Sequence, residues 1–399
     1  MGRNLCETEE LGTIVCGMKR STRRTFCKQV ASAVMGSPVL LSRPSFGYTR
    51  SLNVDLLQNT RPAVQNKLKL EGGFIEFWGG MLTDESFKSL GACAWRQVLQ
   101  AMRDLKMDTV VIKRTQVDDT DFTRQSTDLT RIVLDYAGLN PKMNVYIGLR
   151  NTSVWNPTAF RNSTWRESEK KKNIDLVRKV WSAYGTDESF AGWYISQEIG
   201  NEPDWYNQLA DLRDYYRSIC GECKRLASHK PVLLSPYYNP YPTPGNSFLP
   251  ANHFAEEYGR FLDQLKDGNR YLVDTIMLQD SVGERRILEP DLVNVVVPYF
   301  NAFAKICSVR KLRLWGNIES FNNRGGNQLF PTEARRLSAQ IKVIPNTVEK
   351  LITFDFFHFM NPYNHLYYDI AFKTAQRALY QGYSDEFVKN SNLSPVICP

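Results

Sequence analysis

A (β/α)8 (TIM) barrel in a single α/β domain is the fold that the sequence predicts. Eight short runs rich in apolar and β-branched residues alternate with longer segments of helical periodicity, as strands buried on both faces and their covering helices should. The alternation spans about 310 residues, near the usual size of this barrel. A doubly wound open sheet would alternate in the same way, but its G-x-G-x-x-G loop does not follow the first strand.

The eight expected strands lie, in chain order, at residues 73–78, 108–114, 144–150, 190–198, 231–237, 273–280, 311–319 and 351–359. The helical pattern between them is clearest at residues 86–105, 168–184, 207–227, 254–266, 290–306, 331–344 and 370–380. We therefore place the barrel at residues 72–385, after a polar linker at 48–71 and before a tail at 386–399.

Two of the expected strands, the fourth and the seventh, end in glutamates, Glu198 and Glu319. The strand ends of such a barrel meet at one rim, where the active site lies. Because side chains alternate along a strand, Tyr194 should share the inward face of Glu198, and Asn317 that of Glu319. Paired carboxylates that face each other across a rim can cleave a glycosidic bond, about 5 Å apart in retaining enzymes and about 6.5–9.5 Å apart in inverting ones.

Other polar and aromatic residues at the strand ends, and in the loops that follow, complete the predicted sugar site. Flat rings suit the apolar faces of sugars, and a cation beside a carboxylate keeps it ionised. For each residue alone, a structural ion pair or simple packing of a loop is the alternative. The predicted substrate-binding residues are Glu76, Trp78, Lys113, Arg150, Tyr194, Gln197, Tyr237, Asp280, Asn317, Phe321 and His358.

The motifs GWYISQE, LSPYYNP, MLQDSVG and LWGNIESF resemble the bacterial family called domain of unknown function 4434. More broadly, the pattern resembles the clan of retaining (β/α)8 glycosidases, whose acid/base lies on strand four and nucleophile on strand seven. This resemblance covers about residues 73–380. Carried over residue by residue, it implies that Glu198 is the acid/base and Glu319 the nucleophile.

The chain departs from the clan at the residue before the acid/base, where Asn is usual and Gln197 stands here. This departure puts in doubt the hydrogen bond that the Asn normally makes to a sugar 2-hydroxyl. An Asn201-Glu202-Pro203 run follows shortly afterwards, so Glu202 is the alternative acid. The spacing from Gly192 to Glu198 fits the clan and favours Glu198.

The N-terminal segment, residues 1–47, has the pattern of an export signal. Seven Lys/Arg against three Glu give it +4 of the chain's net charge of +8. Its Thr22-Arg23-Arg24-Thr25-Phe26-Cys27-Lys28 run matches the twin-arginine pattern, and a short apolar stretch follows. We therefore expect passage through the twin-arginine translocase to a periplasmic or secreted location, with no stable membrane span. A basic disordered leader is the alternative reading.

The rest of the chain excludes several functions. It has no basic stripe that would favour nucleic acid, and its four histidines show no metal-ligand spacing. Neither a cofactor nor a metal is therefore expected. The sequence predicts an exported glycoside hydrolase acting on a polysaccharide or oligosaccharide. The alternatives are a non-catalytic glycan-binding or envelope-assembly barrel, a lyase or transglycosylase with the same carboxylates, and a phosphosugar enzyme.

Overall fold

The computed structural model describes residues 68–77, 85–123, 128–241, 247–325, 328–363, 369–389, 393–394 and 396, with the backbone alone for 85–90. The predicted export signal, most of the predicted linker and Trp78 lie outside the described residues.

Eight parallel strands close into a barrel in which each strand pairs with the next along the chain and the last pairs with the first. The predicted (β/α)8 fold is therefore confirmed. The strands are β1 (Leu70–Ile75), β2 (Thr109–Ile112), β3 (Asn144–Gly148), β4 (Phe190–Tyr194), β5 (Val232–Leu234), β6 (Thr275–Gln279), β7 (Arg313–Glu319) and β8 (Lys350–Phe354).

One long helix follows each strand and covers the outside of the barrel. The helices are α1 (Glu85–Asp104), α2 (Leu129–Ala137), α3 (Ser163–Tyr184), α4 (Leu209–Leu226), α5 (Ala251–Asp263), α6 (Leu292–Arg310), α7 (Ala334–Val343) and α8 (Ile370–Tyr383). Asparagine and aspartate side chains begin several of them: Asp128 accepts a hydrogen bond from the backbone of Arg131, and Asn162 accepts one from Trp165, as N-cap residues do.

Shorter elements lie in the loops between strands and helices. The short helices are Pro157–Phe160, Pro203–Tyr206, Glu289–Asp291, Phe356–Met360 and Ser384–Val388. The short strands are Gln116–Val117, Thr120–Asp121, Arg150–Asn151, Lys266–Asp267, Arg270–Tyr271, Phe321–Asn323 and Leu329–Pro331.

A layer of eight buried side chains, one from each strand, fills the inside of the barrel. These residues are Phe74, Val111, Tyr146, Tyr194, Leu233, Met277, Trp315 and Ile352. Such layers of bulky side chains make the interior of this fold a packed core rather than a pore. We call this set the barrel floor, because the candidate site lies directly above it.

The eighth strand is shorter than predicted and ends at Phe354 rather than at residue 359. The backbone turns at Asp355, whose carboxylate accepts a hydrogen bond from the backbone N–H of His358 at 2.6 Å, and the chain continues as the short helix Phe356–Met360. A side chain that bonds to a backbone nearby competes with strand pairing. His358 consequently lies beyond the strand and fully buried.

One helical stretch among the described residues, Glu289–Arg310, is long and apolar enough to cross a membrane, with a mean hydropathy of 1.5. This stretch includes α6, whose Val296, Phe300 and Phe303 are buried against the barrel. Packing in the core therefore accounts for its apolar composition.

Candidate active site

A cavity of about 140 Å³ opens at the carboxyl ends of the strands and contains both predicted catalytic glutamates. Its lining comes from the ends of at least five strands and from the loops after them, as expected for the functional face of this fold. The lining residues are Lys113, Arg114, Asn151, Thr152, Ser153, Trp155, Ser196, Glu198, Tyr237, Gln279, Ser281, Glu284, Arg285, Glu319, Phe321 and Phe354.

The fourth strand was predicted to run to Glu198, but β4 ends at Tyr194 and Glu198 lies in the extended segment after it. Glu198 is half-buried. The hydroxyl of Tyr194, a residue of the barrel floor, donates to Oε1 of Glu198 at 2.8 Å. The indole N–H of Trp155 donates to the backbone carbonyl of Glu198 at 2.8 Å. Both the carboxylate and the backbone of Glu198 are therefore held in place, and one carboxylate oxygen remains available to the cavity.

Glu319 ends β7 and is only 4% exposed. Its Oε2 accepts a hydrogen bond of 2.7 Å from the backbone N–H of Glu284. Burial, and next to it the negative charge of Asp280, raise the pKa of Glu319 well above its usual value, because both disfavour the ionised form.

Asp280 is the buried neighbour of Glu319 and does not itself line the cavity. Its Oδ1 accepts from the backbone N–H of Glu319 at 3.2 Å, and its Oδ2 accepts from Nε2 of Gln340 at 2.8 Å. The same Gln340 amide donates to the backbone carbonyl of Glu319 at 3.0 Å. Burial raises the pKa of Asp280 to about 6. Asp280 was predicted from the sequence to contact a sugar. In the structure it instead supports Glu319.

The loop after β6 brings Glu284 and Arg285 into the cavity. Gly283 makes this close approach possible, since a Cβ atom there would lie 2.0 Å from the backbone oxygen of Phe321. Neither Glu284 nor Arg285 was predicted from the sequence as a site residue. A charged pair that directly follows a glycine in the loop after the sixth strand could have indicated them.

Lys113 and Arg114 follow β2 and both line the cavity. The ammonium of Lys113 lies 4.2 Å from the centre of the Phe354 ring. Burial lowers the pKa of Lys113, while Glu198 and Glu319 act in the opposite direction. The ammonium of Lys113 therefore shares one cavity with both glutamates.

Arg114 forms a buried ion pair with Glu76, which lies directly after β1. Burial lowers the pKa of Arg114 to about 10, and the negative charge of Glu198 opposes that shift. Glu76 does not line the cavity itself. It was predicted to bind the sugar, but in the structure it holds Arg114 in the cavity wall.

Three of the described residues lie close enough to one another to be considered as ligands of a metal ion. Ligand atoms of Glu76, Asp355 and His358 lie within 4.8 Å of one another. However, Glu76 is paired with Arg114, and Nδ1 of the His358 ring donates to Oδ2 of Asp355 at 2.6 Å. Because Arg114 neutralises Glu76 and both oxygens of Asp355 bond to His358, we interpret the group as an ion-pair network. His358, a predicted sugar ligand, is thus engaged by Asp355 and does not line the cavity.

Three other predicted sugar ligands are buried away from the cavity. Asn317 donates to the hydroxyl of Ser235 at 3.3 Å. Gln197 is 1% exposed, and its side-chain amide makes no hydrogen bond with the described residues. Arg150 is 2% exposed and pairs with Glu169 of α3 at 2.8 Å. Of the predicted set, Lys113, Tyr237 and Phe321 line the cavity beside the two glutamates.

Replacement of Arg150 by methionine is expected to destabilise the fold by about 3 kcal/mol, because it leaves Glu169 buried with a single exposed lysine as its partner. Urea unfolding of the variant measures this loss. The affinity for substrate should not change. A weaker substrate affinity with unchanged stability would return Arg150 to the sugar site.

Tyr237 and the alternative acid, Glu202, form a pair at the edge of the site. The hydroxyl of Tyr237 donates to Oε1 of Glu202 at 3.0 Å. Tyr237 lines the cavity, whereas Glu202 does not. Burial raises the pKa of Glu202. The placement of these two residues favours Glu198 over Glu202 as the group that reaches a substrate.

Comparisons with known proteins agree with this architecture. The model of the family described as "Domain of unknown function (DUF4434)" matches residues 70–366. A comparison with proteins of curated function found no match.

Among solved structures, the "putative alpha-L-fucosidase" from Bacteroides thetaiotaomicron VPI-5482 has a TM-score of 0.64 and 22% identity, over 86% of this chain and 100% of that chain. The endo-1,4-beta-D-mannanase from Thermotoga petrophila RKU-1 has a TM-score of 0.48 and 10% identity, over 72% and 88% of the two chains. The first likeness shows that this chain has the barrel fold found among glycoside hydrolases.

Proposed function

The chain belongs to the DUF4434 family, and for this member we propose the hydrolysis of a glycosidic bond, with Glu198 and Glu319 as the catalytic pair. The observation that carries the proposal is the meeting of these two glutamates in one cavity above the barrel floor. Glu319 ends β7 and Glu198 lies in the segment after β4, so the two carboxylates come from different sides of the rim. Lys113 lines the same cavity.

In the proposed retaining mechanism, Glu319 attacks the anomeric carbon while Glu198 protonates the leaving oxygen. Glu198 then removes a proton from the water that releases the sugar from Glu319. The pair must start the cycle with one proton between them. Burial and Asp280 favour that proton on Glu319 in the free protein, whereas attack requires it on Glu198. Ionisation of Glu319 is therefore part of the barrier to reaction.

The surroundings of the two glutamates support this pairing. Phe354, Phe321 and Tyr237 place aromatic surface in the cavity, which suits the apolar faces of a sugar ring. Asn151, Thr152 and Ser153 bring hydrogen-bonding groups from the loop after β3.

Export remains part of the proposal. The twin-arginine pattern supports passage through that translocase to the periplasm or beyond. Cys93 is disulfide-bonded, and disulfides persist mainly in oxidising compartments. A fusion of residues 1–60 to a reporter that is active only after folded export would test this, with Arg23→Lys and Arg24→Lys together as the control that should abolish it.

The experiment that tests the activity is release of reducing sugar from a panel of polysaccharides and aryl glycosides. Wild-type protein and the Glu319→Gln variant are compared on each substrate. Release by wild-type protein alone supports the proposal. Proton NMR of the first product formed distinguishes retention from inversion. Equal glycan binding by both proteins, without release by either, would replace the proposal with a non-catalytic glycan-binding barrel.

A further inference from the structure

Two cationic side chains line the cavity without an anionic partner. Lys113 follows β2 and Arg285 lies in the loop after β6. Neither side chain forms an ion pair with a residue that the structure describes. The Lys113 ammonium lies 4.2 Å from the centre of the Phe354 ring.

Four of the five fully buried cations among the described residues are paired with carboxylates, and the fifth, Arg103, donates to backbone carbonyl oxygens. Arg114 contacts Glu76, and Arg150 contacts Glu169. Removal of a charge from water is costly unless an opposite charge replaces the water. Lys113 and Arg285 are both shielded from solvent in part. They are therefore the two places in the cavity where a bound anion would gain most.

Both cations line the same cavity as the glutamate that would attack the sugar. Glu319 raises the pKa of Lys113, and Arg285 opposes the rise in the pKa of Glu319. The backbone on each side is fixed: the N–H of Lys113 donates to the carbonyl of Ile75 at 2.8 Å, and the N–H of Arg285 donates to that of Ser281 at 3.1 Å. A sugar at Glu319 would thus have a cation on the β2 side and another on the β6 side.

The three glutamates of the cavity would repel an anion if all were ionised. Burial raises the pKa of Glu284 and that of Glu319, so these two carboxyl groups keep their protons to higher pH than usual. Protonation of either one lowers the repulsion. When both are protonated, the two cations at Lys113 and Arg285 outweigh the single remaining carboxylate of Glu198.

We propose, on the premise of the glycosidase activity, that the sugar bound beside Glu319 carries an anionic substituent, a carboxylate or a sulfate, held by Lys113 and Arg285. The substrate class is accordingly an acidic glycan. A planar guanidinium and a mobile ammonium together suit either anion, since the guanidinium binds two oxygens side by side and the ammonium binds as a point charge.

The test measures binding of monosaccharides to the full-length protein by NMR titration at low ionic strength. The probes are glucuronate and galacturonate, glucose 6-sulfate and galactose 6-sulfate, with glucose and galactose as neutral partners. The expected result is tighter binding of the uronates or of the sulfated sugars than of the matched neutral sugars. Which anionic pair binds distinguishes carboxylate from sulfate. Equal binding of all six, or binding of the neutral sugars alone, overturns the inference.

The variants Lys113→Met and Arg285→Met are each expected to weaken binding of the anionic sugar by about 10- to 100-fold, the loss expected for a charge-assisted hydrogen bond, and to leave neutral sugars unchanged. Arg286→Met is the matched control, because Arg286 is exposed, adjacent in sequence and outside the cavity lining. If the control weakens binding as much as Arg285→Met does, the effect is one of net charge and the inference is wrong.

A pair of polymers separates this inference from the proposed activity. Polygalacturonate and its carboxyl-reduced form differ only in the acidic group. Uronate binding without release of reducing sugar from any glycan would contradict the proposed activity and leave the acidic-sugar site standing. Hydrolysis of neutral glycans, with no preference for an acidic glycan over its reduced form, would contradict the acidic-sugar site and leave the activity standing.

Discussion

Replacement of Glu319 by glutamine is expected to lower kcat by at least about 10⁴-fold, as loss of a catalytic nucleophile does. The amide has the shape of the carboxylate and can still accept the hydrogen bond from the backbone of Glu284, so the site should remain folded. Thermal unfolding of the variant checks this. Steady-state kinetics on the best substrate of the panel measures the loss. A variant that keeps more than a tenth of the activity would remove Glu319 from the chemistry.

Azide separates the roles of the two glutamates. Glu198→Ala is expected to lose about 10²- to 10⁴-fold in rate, the usual contribution of a general acid/base. Azide should restore turnover, because this anion needs no base to attack, and the glycosyl azide formed should retain the configuration of the substrate. The same experiment on Glu319→Ala should give the inverted azide. The opposite pattern would exchange the two roles.

Glu202→Gln is the matched control for the acid, because Glu202 is a nearby glutamate that is half-buried, like Glu198, and lies outside the cavity lining. Its activity should stay within a few-fold of the wild type. Full activity in the Glu198 variant together with a large loss in Glu202→Gln would make Glu202 the acid.

Asp280→Asn is expected to raise activity on the acid side of the pH profile. The negative charge of Asp280 helps to raise the pKa of Glu319, and the carboxyl of Asp280, with a pKa of about 6, is ionised in neutral solution. Removal of that charge lowers the pKa of Glu319. A nucleophile must be ionised, so more of the enzyme is reactive, by about tenfold for each unit of the pKa change. The gain should appear above about pH 6 and disappear above the pKa of Glu319.

The pH profile of kcat/KM for the wild type and Asp280→Asn measures this effect. If Glu319 were instead the proton donor, the same substitution would lower activity on the alkaline side, because the donor would lose its proton earlier. The asparagine fits the site, since the Gln340 amide can rotate and present its unpartnered Oε1 to the new N–H₂ group. Glu284→Gln should act in the same direction but less strongly, because Glu284 is the smaller of the two negative influences on Glu319.

The fold could be predicted because two features separate strands from helices in this sequence: the spacing of the apolar residues and the length of each segment. Predicted strand three began at the residue where β3 begins, and predicted strand seven ended at Glu319, as β7 does. The eighth strand was overextended because residues 355–359 are as apolar as a strand. Only the local hydrogen bond of Asp355 directs them into a helix.

The candidate site was predictable where a residue follows a strand end directly and unpredictable where a loop decides. Glu198 and Glu319 line the cavity as the strand ends indicated. Arg150 is equally near a strand end, yet Glu169 of α3 draws it outward. Glu284 enters through a loop, in a conformation that depends on the space beside Gly283. The alternation of side chains along a strand predicts neither the pairing of Arg150 with Glu169 nor the loop conformation at Gly283.

The barrel floor also determines how molecules enter and leave. Eight buried side chains, one from each strand, close the barrel below the two glutamates. In the part of the chain that the structure describes, substrate and products must therefore both pass through the opening of the cavity above these side chains. In a double displacement, the leaving group must then depart before the second water can arrive by the same route. The released sugar would be the last to leave, and we expect it to inhibit the reaction by competing with fresh substrate for the space above Tyr194.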